Sequence, residues 1–581
     1  MFNYLTDVSN VLVIGCGGAG LRSAIEAKFN GLDVKILGKR SRFDSHTVLA
    51  AGGINAAFGN LDKNDSWEQH FVDTYLEGYK LGNPEIIEYM TKNSPDLVKE
   101  IDSWGANLEK LENGKFDQRF FGAHTYRRTC YSGDFTGQTI LKACLRKAED
   151  LEIPIFDSQY VFELLVKDKK CFGAISFNIH SGEKTVHYAD AVILCTGGHT
   201  RIWKKSSSRK QENNGDGFYL ALKAGCSLID MEMVQFHPTG MISPKEIEGK
   251  LVTEAVRGEG GILRNVHGER FMKKYDLERM ELSTRDIIAK ANYNEIVNGN
   301  STENGGVFLD ISHKDKDFII RKLPRIYRQF LEFQSLDISK EPMEVAPTAH
   351  YSMGGIKVSP LDHKTCVEGL FAAGEVAGGL HGANRLGGNS LAEILVYGKL
   401  AGLCASNYSK KLNFQLRDQM TVQKLNNEFE DLIKSGEHLA IPLQNELSDL
   451  MWKYCGVVKN EEKLLEGLTT LGKLKEKSKF VDVRVSDNNF QDLVNLFDLK
   501  ASLFSAEATL LSALQRKESR GAHQRSDYLS LDEKEKYNLE VKKVGKNFEI
   551  YKNGSVKLNK KLNKLVSKSK NILNFKNKLL E

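Results

Sequence analysis

Val11-Leu12-Val13-Ile14-Gly15-Cys16-Gly17-Gly18-Ala19-Gly20 is the stretch on which the reading of this chain turns. An apolar run passes into G-x-G-x-x-G, with Gly15, Gly17 and Gly20 at the glycine positions, and a helical pattern follows from Leu21 to about Asn30. The run predicts a buried parallel strand. Gly15 permits the tight turn, Gly17 lets a diphosphate approach the backbone, and Gly20 lets the helix pack closely. The diphosphate then sits on the helix N-terminus, where free N–H groups and the dipole favour an anion. Many isolated G-x-G-x-x-G matches are ordinary turns, but here a strand precedes, a helix follows, and a second strand is expected at Val34–Leu37. A plain NAD site carries an acidic residue after that second strand. This chain reads Gly38-Lys39-Arg40 there, which argues against NAD.

The chain has 581 residues, too many for one core, so two to four domains are expected. A hydrophobic content of 41% beside 27% charged residues describes a soluble globular protein, and no run of 18 apolar residues predicts a membrane span. About ten residues precede the first strand, so no signal or transit peptide is expected. Nine cysteines without a C-x-x-C pair predict neither an iron–sulfur cluster nor a zinc site in this chain. They read as small buried apolar residues in a reducing compartment. The net charge of +5 is unevenly spread: Val541–Glu581 holds 12 Lys against 2 Glu, a local +10, which leaves −5 for the rest. A basic patch confined to a tail is a poor nucleic-acid footprint, and the tail reads as a solvated arm.

Ser45-His46-Thr47-Val48-Leu49-Ala50-Ala51-Gly52-Gly53-Ile54 places a histidine in a small-residue loop soon after the second strand. On its own it is a hydrogen-bonded loop histidine. Further on stand Gly122-Ala123-His124-Thr125-Tyr126-Arg127-Arg128, Gly133-Asp134-Phe135-Thr136-Gly137, the strand-to-turn Leu194-Cys195-Thr196-Gly197-Gly198, and Asn213-Asn214-Gly215-Asp216-Gly217. Gln235-Phe236-His237-Pro238-Thr239-Gly240, Leu251-Val252-Thr253-Glu254-Ala255-Val256-Arg257-Gly258, Ser283-Thr284-Arg285-Asp286, Thr348-Ala349-His350-Tyr351 and His381-Gly382-Ala383-Asn384-Arg385-Leu386-Gly387-Gly388-Asn389-Ser390 follow. In this order, over nearly the whole chain, these motifs resemble the flavoprotein subunits of succinate dehydrogenase and fumarate reductase. Two departures stand out. Gln138 replaces a histidine found in many members, and the stretch between Glu375 and Arg385 is one residue shorter than in many of them.

The resemblance implies an α/β fold: a Rossmann-like FAD-binding domain in two parts (residues 1–230 and 346–408), split by an inserted α+β capping domain (231–345). A helical domain (409–540) and a basic C-terminal hairpin and tail (541–581) complete it. The residue pattern supplies the details. Helices are expected within 66–112, from near Thr139, at Phe218–Ala224 and from about Ser390 to Ala405, with strands over 160–195 and at Gly369–Glu375. Leu496, Leu499, Leu503, Ala506 and Leu510 mark one face of a helix, and Asn553-Gly554 suggests a hairpin turn between 548–551 and 556–558. Asp216 also reads as a helix N-cap.

By resemblance the cofactor is FAD, joined covalently through His46, with contacts from Gly15, Cys16, Gly17, Gly18, Ala19, Gly20, Lys39, Ser45, Thr47, Ala51, Gly52, Gly53, Asp216, Glu375, Ser390 and Leu391. The substrate is a small dicarboxylate, succinate or fumarate. Its carboxylates need a planar bidentate cation, which Arg385 supplies, and neutral donors, which His237, Thr253 and His350 supply. Reducing a C=C between two carboxylates takes a hydride from the flavin and a proton from a side chain. The resemblance assigns that proton to Arg285, replenished through Glu254 and Arg257. It further implies an iron–sulfur protein partner, a quinone-linked membrane anchor, and a cytoplasmic place on the inner face of the cell membrane held through those partners. Two rivals are an L-aspartate oxidase-like soluble flavoenzyme, which lacks the histidine at position 46, and a non-catalytic FAD scaffold, which would carry a broken catalytic set.

Overall fold

The computed structural model describes residues 4–486, 489–545 and 547–579. β1 spans Leu5–Ile14 and changes character along its length: Leu5 is exposed, whereas Val11 to Ile14 are buried. The buried half is sandwiched. β2 (Val34–Leu37) pairs parallel on one side, with Val11 opposite Val34, and the strand Lys184–Leu194 pairs parallel on the other, with Val11 opposite Ala191. A strand covered on both edges and both faces has no use for polar side chains, which is why the run reads V-L-V-I. α1 (Gly18–Phe29) follows the glycine turn and packs against the helix Asn389–Ser409.

The central sheet has seven strands. Its path runs from Ile155–Phe156 through β2, β1 and Lys184–Leu194 to Lys170–Asn178 and Gln159–Lys167, and Leu370–Ala372 pairs off Lys184–Leu194 in parallel. Residues before 195 and after 369 therefore close one sheet, although almost 180 residues separate them. Between them lies a four-stranded antiparallel sheet of Val234–Met241, Met343–Ser352, Val307–Asp310 and Ile262–Arg264. It has its own core of Met241, Leu263, Val307, Leu309 and Val345, roofed by Ile288 and Ala291 of the helix Arg285–Val297. Beyond residue 409 the chain is mainly helical. The long helix Gln491–Gln515 buries Leu496, Leu499, Leu503, Ala506 and Leu510 on one face, as the spacing predicts.

Four local expectations are corrected. The hairpin near the C-terminus pairs Tyr537–Val544 with Asn547–Gly554, so Asn553 and Gly554 end a strand and the turn is at Gly545, whose φ of +60° suits glycine. The basic tail is not a solvated arm. Val541, its first residue, is buried in a sheet opposite Leu228, and the helix Lys560–Leu579 buries Leu562 and Val566 one turn apart against the core around the helix Trp67–Glu77. Lys560, Lys561, Lys564 and Lys568 are exposed on the faces that remain. Asp216 is not the N-cap of Asp216–Lys223; Gly215 holds that position, and the Asp216 carboxylate is turned to Lys39 at 3.4 Å. Cys366 is exposed rather than buried, because it lies in the loop before Leu370–Ala372.

Candidate active site

A long cavity opens at the C-terminal ends of β1 and Lys184–Leu194, where open α/β sheets bind ligands, and runs under the antiparallel sheet. At its entrance the glycine turn is fixed by packing. Gly15 has φ +114° and a Cβ there would lie 2.1 Å from the Cys195 carbonyl oxygen, while a Cβ on Gly20 would lie 1.9 Å from that of Gly15. Gly17 differs. The nearest atom to its added Cβ is Thr47 Oγ1 at 3.4 Å, so the space it leaves belongs to the cavity and not to a neighbour. Thr47 Oγ1 accepts from Gly18 N–H at 3.0 Å and ties the 45–47 loop to the helix start.

The lining fits a flavin nucleotide on more than glycine. Ser45 Oγ and Thr196 Oγ1 both line the cavity and are buried without a hydrogen-bond partner, which is costly unless a ligand satisfies them. Lys39 is held between Asp216 and Asp498, the latter at 2.5 Å; burial pulls its pKa down, but the two carboxylates raise it overall. At the far end the helix Asn389–Ser409 begins after Gly388, with Ser390 and Leu391 in its first turn, where N–H groups lack intrahelical acceptors. Glu375 is pushed up to about 7 by burial, although it accepts from Ser352 N–H at 2.9 Å. His46 faces the same space and meets Glu212 through Nδ1 at 3.0 Å.

The inner end is a buried cluster of charge. Arg285, at the first position of its helix, gives both Nε (2.8 Å) and Nη2 (2.6 Å) to Glu254 Oε2, and Nη1 to Gln235 Oε1 (2.9 Å). Arg385 Nη2 donates to the same Gln235 oxygen at 3.1 Å, its guanidinium lies 4.2 Å from the Tyr351 ring centre, and its Nε is unsatisfied. Burial and the nearby Arg285 lower Arg385 to about 10. Burial pushes Glu254 up, but Arg285 and Arg257 outweigh it and hold the carboxyl well below its usual range. Arg257 stands behind Glu254 at 4.0 Å and donates Nη1 to the Glu281 carbonyl. His237 and His350 meet edge to face at 5.2 Å; burial first, then the neighbouring arginines, keeps both well below 6.5 and so neutral. His237 Nδ1 is engaged by Thr239, 3.3 Å from both its backbone N–H and its carbonyl oxygen, while His350 Nδ1 is paired with Ser207 Oγ at 2.9 Å.

The structure thus gathers Gly15, Cys16, Gly17, Gly18, Ala19, Lys39, Ser45, His46, Thr47, Ala51, Gly52, Gly53, Asp216, Glu375, Ser390 and Leu391 along one cavity, with His237, Thr253, Glu254, Arg285, His350 and Arg385 at its inner end. Gly20 and Arg257 lie outside the lining, one packing strand to helix and the other backing Glu254. Three residues went unread in the sequence. Gln235 precedes His237 by two on a strand and so shares its face, a signal that was available. Glu212, which lines the cavity, and Asp498, which backs Lys39 from behind the lining, carry no local signal, since each is remote in sequence from its partner.

The family model described as FAD binding domain matches residues 10–391, and that described as fumarate reductase flavoprotein C-term matches residues 444–560. The corresponding chain of the fumarate reductase (CoM/CoB) of Methanothermobacter marburgensis is 41% identical over 89% of this chain and 94% of its own length. The succinate dehydrogenase flavoprotein subunit of Rickettsia conorii is 36% identical over 91% of each chain. Among solved structures, a variant FrdA chain of E. coli quinol fumarate reductase superposes with a TM-score of 0.91 at 32% identity, covering 96% of this chain and 98% of that one.

Proposed function

The chain belongs to the family of succinate dehydrogenase and fumarate reductase flavoprotein subunits, FAD-dependent oxidoreductases that interconvert succinate and fumarate, and from that premise we propose how its residues divide the work. The observation that carries the reading is a charge imbalance. Arg257, Arg285 and Arg385 are all buried; the first two share one ionised carboxylate, Glu254, Arg385 has no ion-pair partner among the described residues, and two neutral histidines stand beside them. Buried positive charge in excess of its partners is costly, and a dicarboxylate carrying two negative charges balances it.

Arg385 clamps one carboxylate through the edge of its guanidinium that carries the unsatisfied Nε, and His237, His350 and Thr253 donate or orient around the rest. FAD supplies or accepts the hydride when bound. Arg285 transfers the proton at the carbon opposite the hydride, and Glu254 then returns a proton to it from Arg257. Arginine is a reluctant acid, with a free pKa above about 12, but a carbanion between two carboxylates is more basic still. The same residues run in reverse for succinate oxidation.

His46 is proposed as the covalent flavin link, and the electrons pass to an iron–sulfur protein partner, then to a quinone-bearing membrane anchor. The chain would then lie on the inner face of the cell membrane through those partners. Among the described residues no helix is long and apolar enough to cross a membrane. The strand pairing that joins residues before 195 to those after 369 supports a split FAD domain with an inserted cap. The test is to assay the isolated chain with an artificial dye and with quinone. Dye-coupled succinate oxidation without quinone reduction, and co-purification of an iron–sulfur protein from native membranes, is expected. Peroxide production from L-aspartate would instead favour the oxidase.

A further inference from the structure

His46 does not stand alone at the cavity wall. Its Nδ1 lies 3.0 Å from Glu212 Oε1, and the Glu212 side chain is only 6% exposed. Glu212 is itself pinned: Arg209 donates its backbone N–H at 2.6 Å and its guanidinium at 2.9 Å, and the far side of that guanidinium reaches Asp44, two residues before His46. With Nδ1 turned to a carboxylate, the opposite ring nitrogen, Nε2, is left toward the cavity that His46 lines. A carboxylate, a histidine and a reacting atom in line is the arrangement that sets an imidazole's tautomer and stabilises its cation in hydrolases.

We propose that Glu212 is the positioning residue for flavin attachment: it presents His46 Nε2 to the cofactor and holds the charge that bond formation leaves on the imidazole. This rests on the reading of His46 as the covalent link. Bond formation joins Nε2, through its lone pair, to a carbon of the flavin ring system. That carbon gives up one proton to solvent, and the electron pair of the broken C–H bond stays on the ring as a two-electron reduction. Fumarate, the oxidised substrate of this family, takes those electrons and two protons to become succinate. The imidazole is left with Nε2 bonded to carbon and Nδ1–H donating to the Glu212 carboxylate. The buried ion pair formed there offsets the cation, which no other residue among those described meets within hydrogen-bond reach.

Geometry also gives the step a pH signature. His46 attacks only when Nε2 is unprotonated. Burial lowers the His46 pKa and Arg209 opposes protonation, but Glu212, with Glu375 across the cavity, raises it overall. Attachment therefore accelerates as pH rises through a value above 6.5.

The full-length apo chain, reconstituted with FAD and fumarate in host-cell extract, is sampled over time across a pH series, denatured and scored for flavin fluorescence on a gel. Glu212→Gln is expected to bind FAD but to attach it at least tenfold more slowly, with the pH midpoint moved down. Glu212→Asp keeps a carboxylate; it should slow attachment while leaving the midpoint raised, and it decides the matter if Glu212→Gln fails to take up FAD. Wild-type rate and an unmoved midpoint in Glu212→Gln, or a lowered midpoint in Glu212→Asp, overturn the proposal. A wild-type chain that releases all its FAD on denaturation fails earlier, at the role of His46, and overturns both readings.

Discussion

Arg285 and Arg385 converge on one oxygen: Gln235 Oε1 accepts from Arg285 Nη1 at 2.9 Å and from Arg385 Nη2 at 3.1 Å. Two guanidiniums this close repel each other, and a shared neutral acceptor holds them side by side without cancelling the charge needed for a dianion. The Gln235 amide nitrogen is fixed in turn by the Asn384 side chain and the Arg385 carbonyl. The acceptor therefore cannot flip to present a donor.

Replacing Gln235 with Met keeps the volume and removes the acceptor. The two arginines then lose a charge-assisted hydrogen bond each, interactions that contribute about 1.5 to 3 kcal/mol apiece. Both the KM for fumarate and kcat should worsen, because one arginine belongs to binding and the other to proton transfer. Steady-state kinetics that show a change in only one of the two would separate Gln235 from one of its partners.

Glu254 gives a prediction in pH. Its folded-state pKa is depressed below the ordinary 4.5 by Arg285 and Arg257 against the opposing cost of burial. Its contribution to stability is therefore full above about 4.5 and is lost as pH falls through the lower folded value. Glu254→Gln leaves Arg285 without its ion pair, a loss of about 3 to 5 kcal/mol for a broken buried pair. The Tm deficit of the variant should be largest at pH 7 and should shrink as the buffer is acidified. A deficit that grows toward acid would mean that Glu254 is protonated in the folded protein.

The framework of this fold was legible because it is local. V-L-V-I-G-C-G-G-A-G fixed strand, turn and helix within one short stretch, and Val34–Leu37 matched the second strand to the residue. His46, His237, Arg285, His350 and Arg385 were legible as types at spacings, and the structure brings them to one cavity. What stayed hidden depends on distance in sequence. Asp498 meets Lys39 across more than 450 residues, and nothing near either residue announces the pair. The tail misled for a different reason. Its 12 lysines dominate its composition, while the few apolar residues that anchor it, such as Val541, Leu562 and Val566, are too sparse to outweigh them.

That anchoring can be measured. Leu562 is 1% exposed and packs with Val566 into the core beside Trp67–Glu77. Leu562→Ala removes a buried side chain at a cost of about 2 to 5 kcal/mol. Because the segment joins the fold through few contacts, the loss should appear as local opening. Limited trypsin digestion is expected to release the C-terminal peptide from the variant before the wild type, with FAD binding unchanged. Equal digestion would return the segment to the status of a loose arm.

The division between Arg285 and Arg385 is the sharpest test of the proposed chemistry. Arg285→Lys and Arg285→Gln should fold, keep flavin and still bind malonate, because Arg385, His237, His350 and Thr253 all remain at the inner end of the cavity. Turnover should nevertheless fall at least about 10²-fold, the low end for loss of a general acid. Lysine cannot rescue it, since its ammonium is a point charge and cannot give two parallel donors to Glu254 Oε2 while reaching Gln235. Arg385→Ala should act first on affinity, because its unsatisfied Nε is a donor left free for a carboxylate. The measurement is kcat against malonate dissociation in each variant. Near-normal turnover in Arg285→Gln, or malonate binding lost there and intact in Arg385→Ala, would show that the two arginines exchange roles.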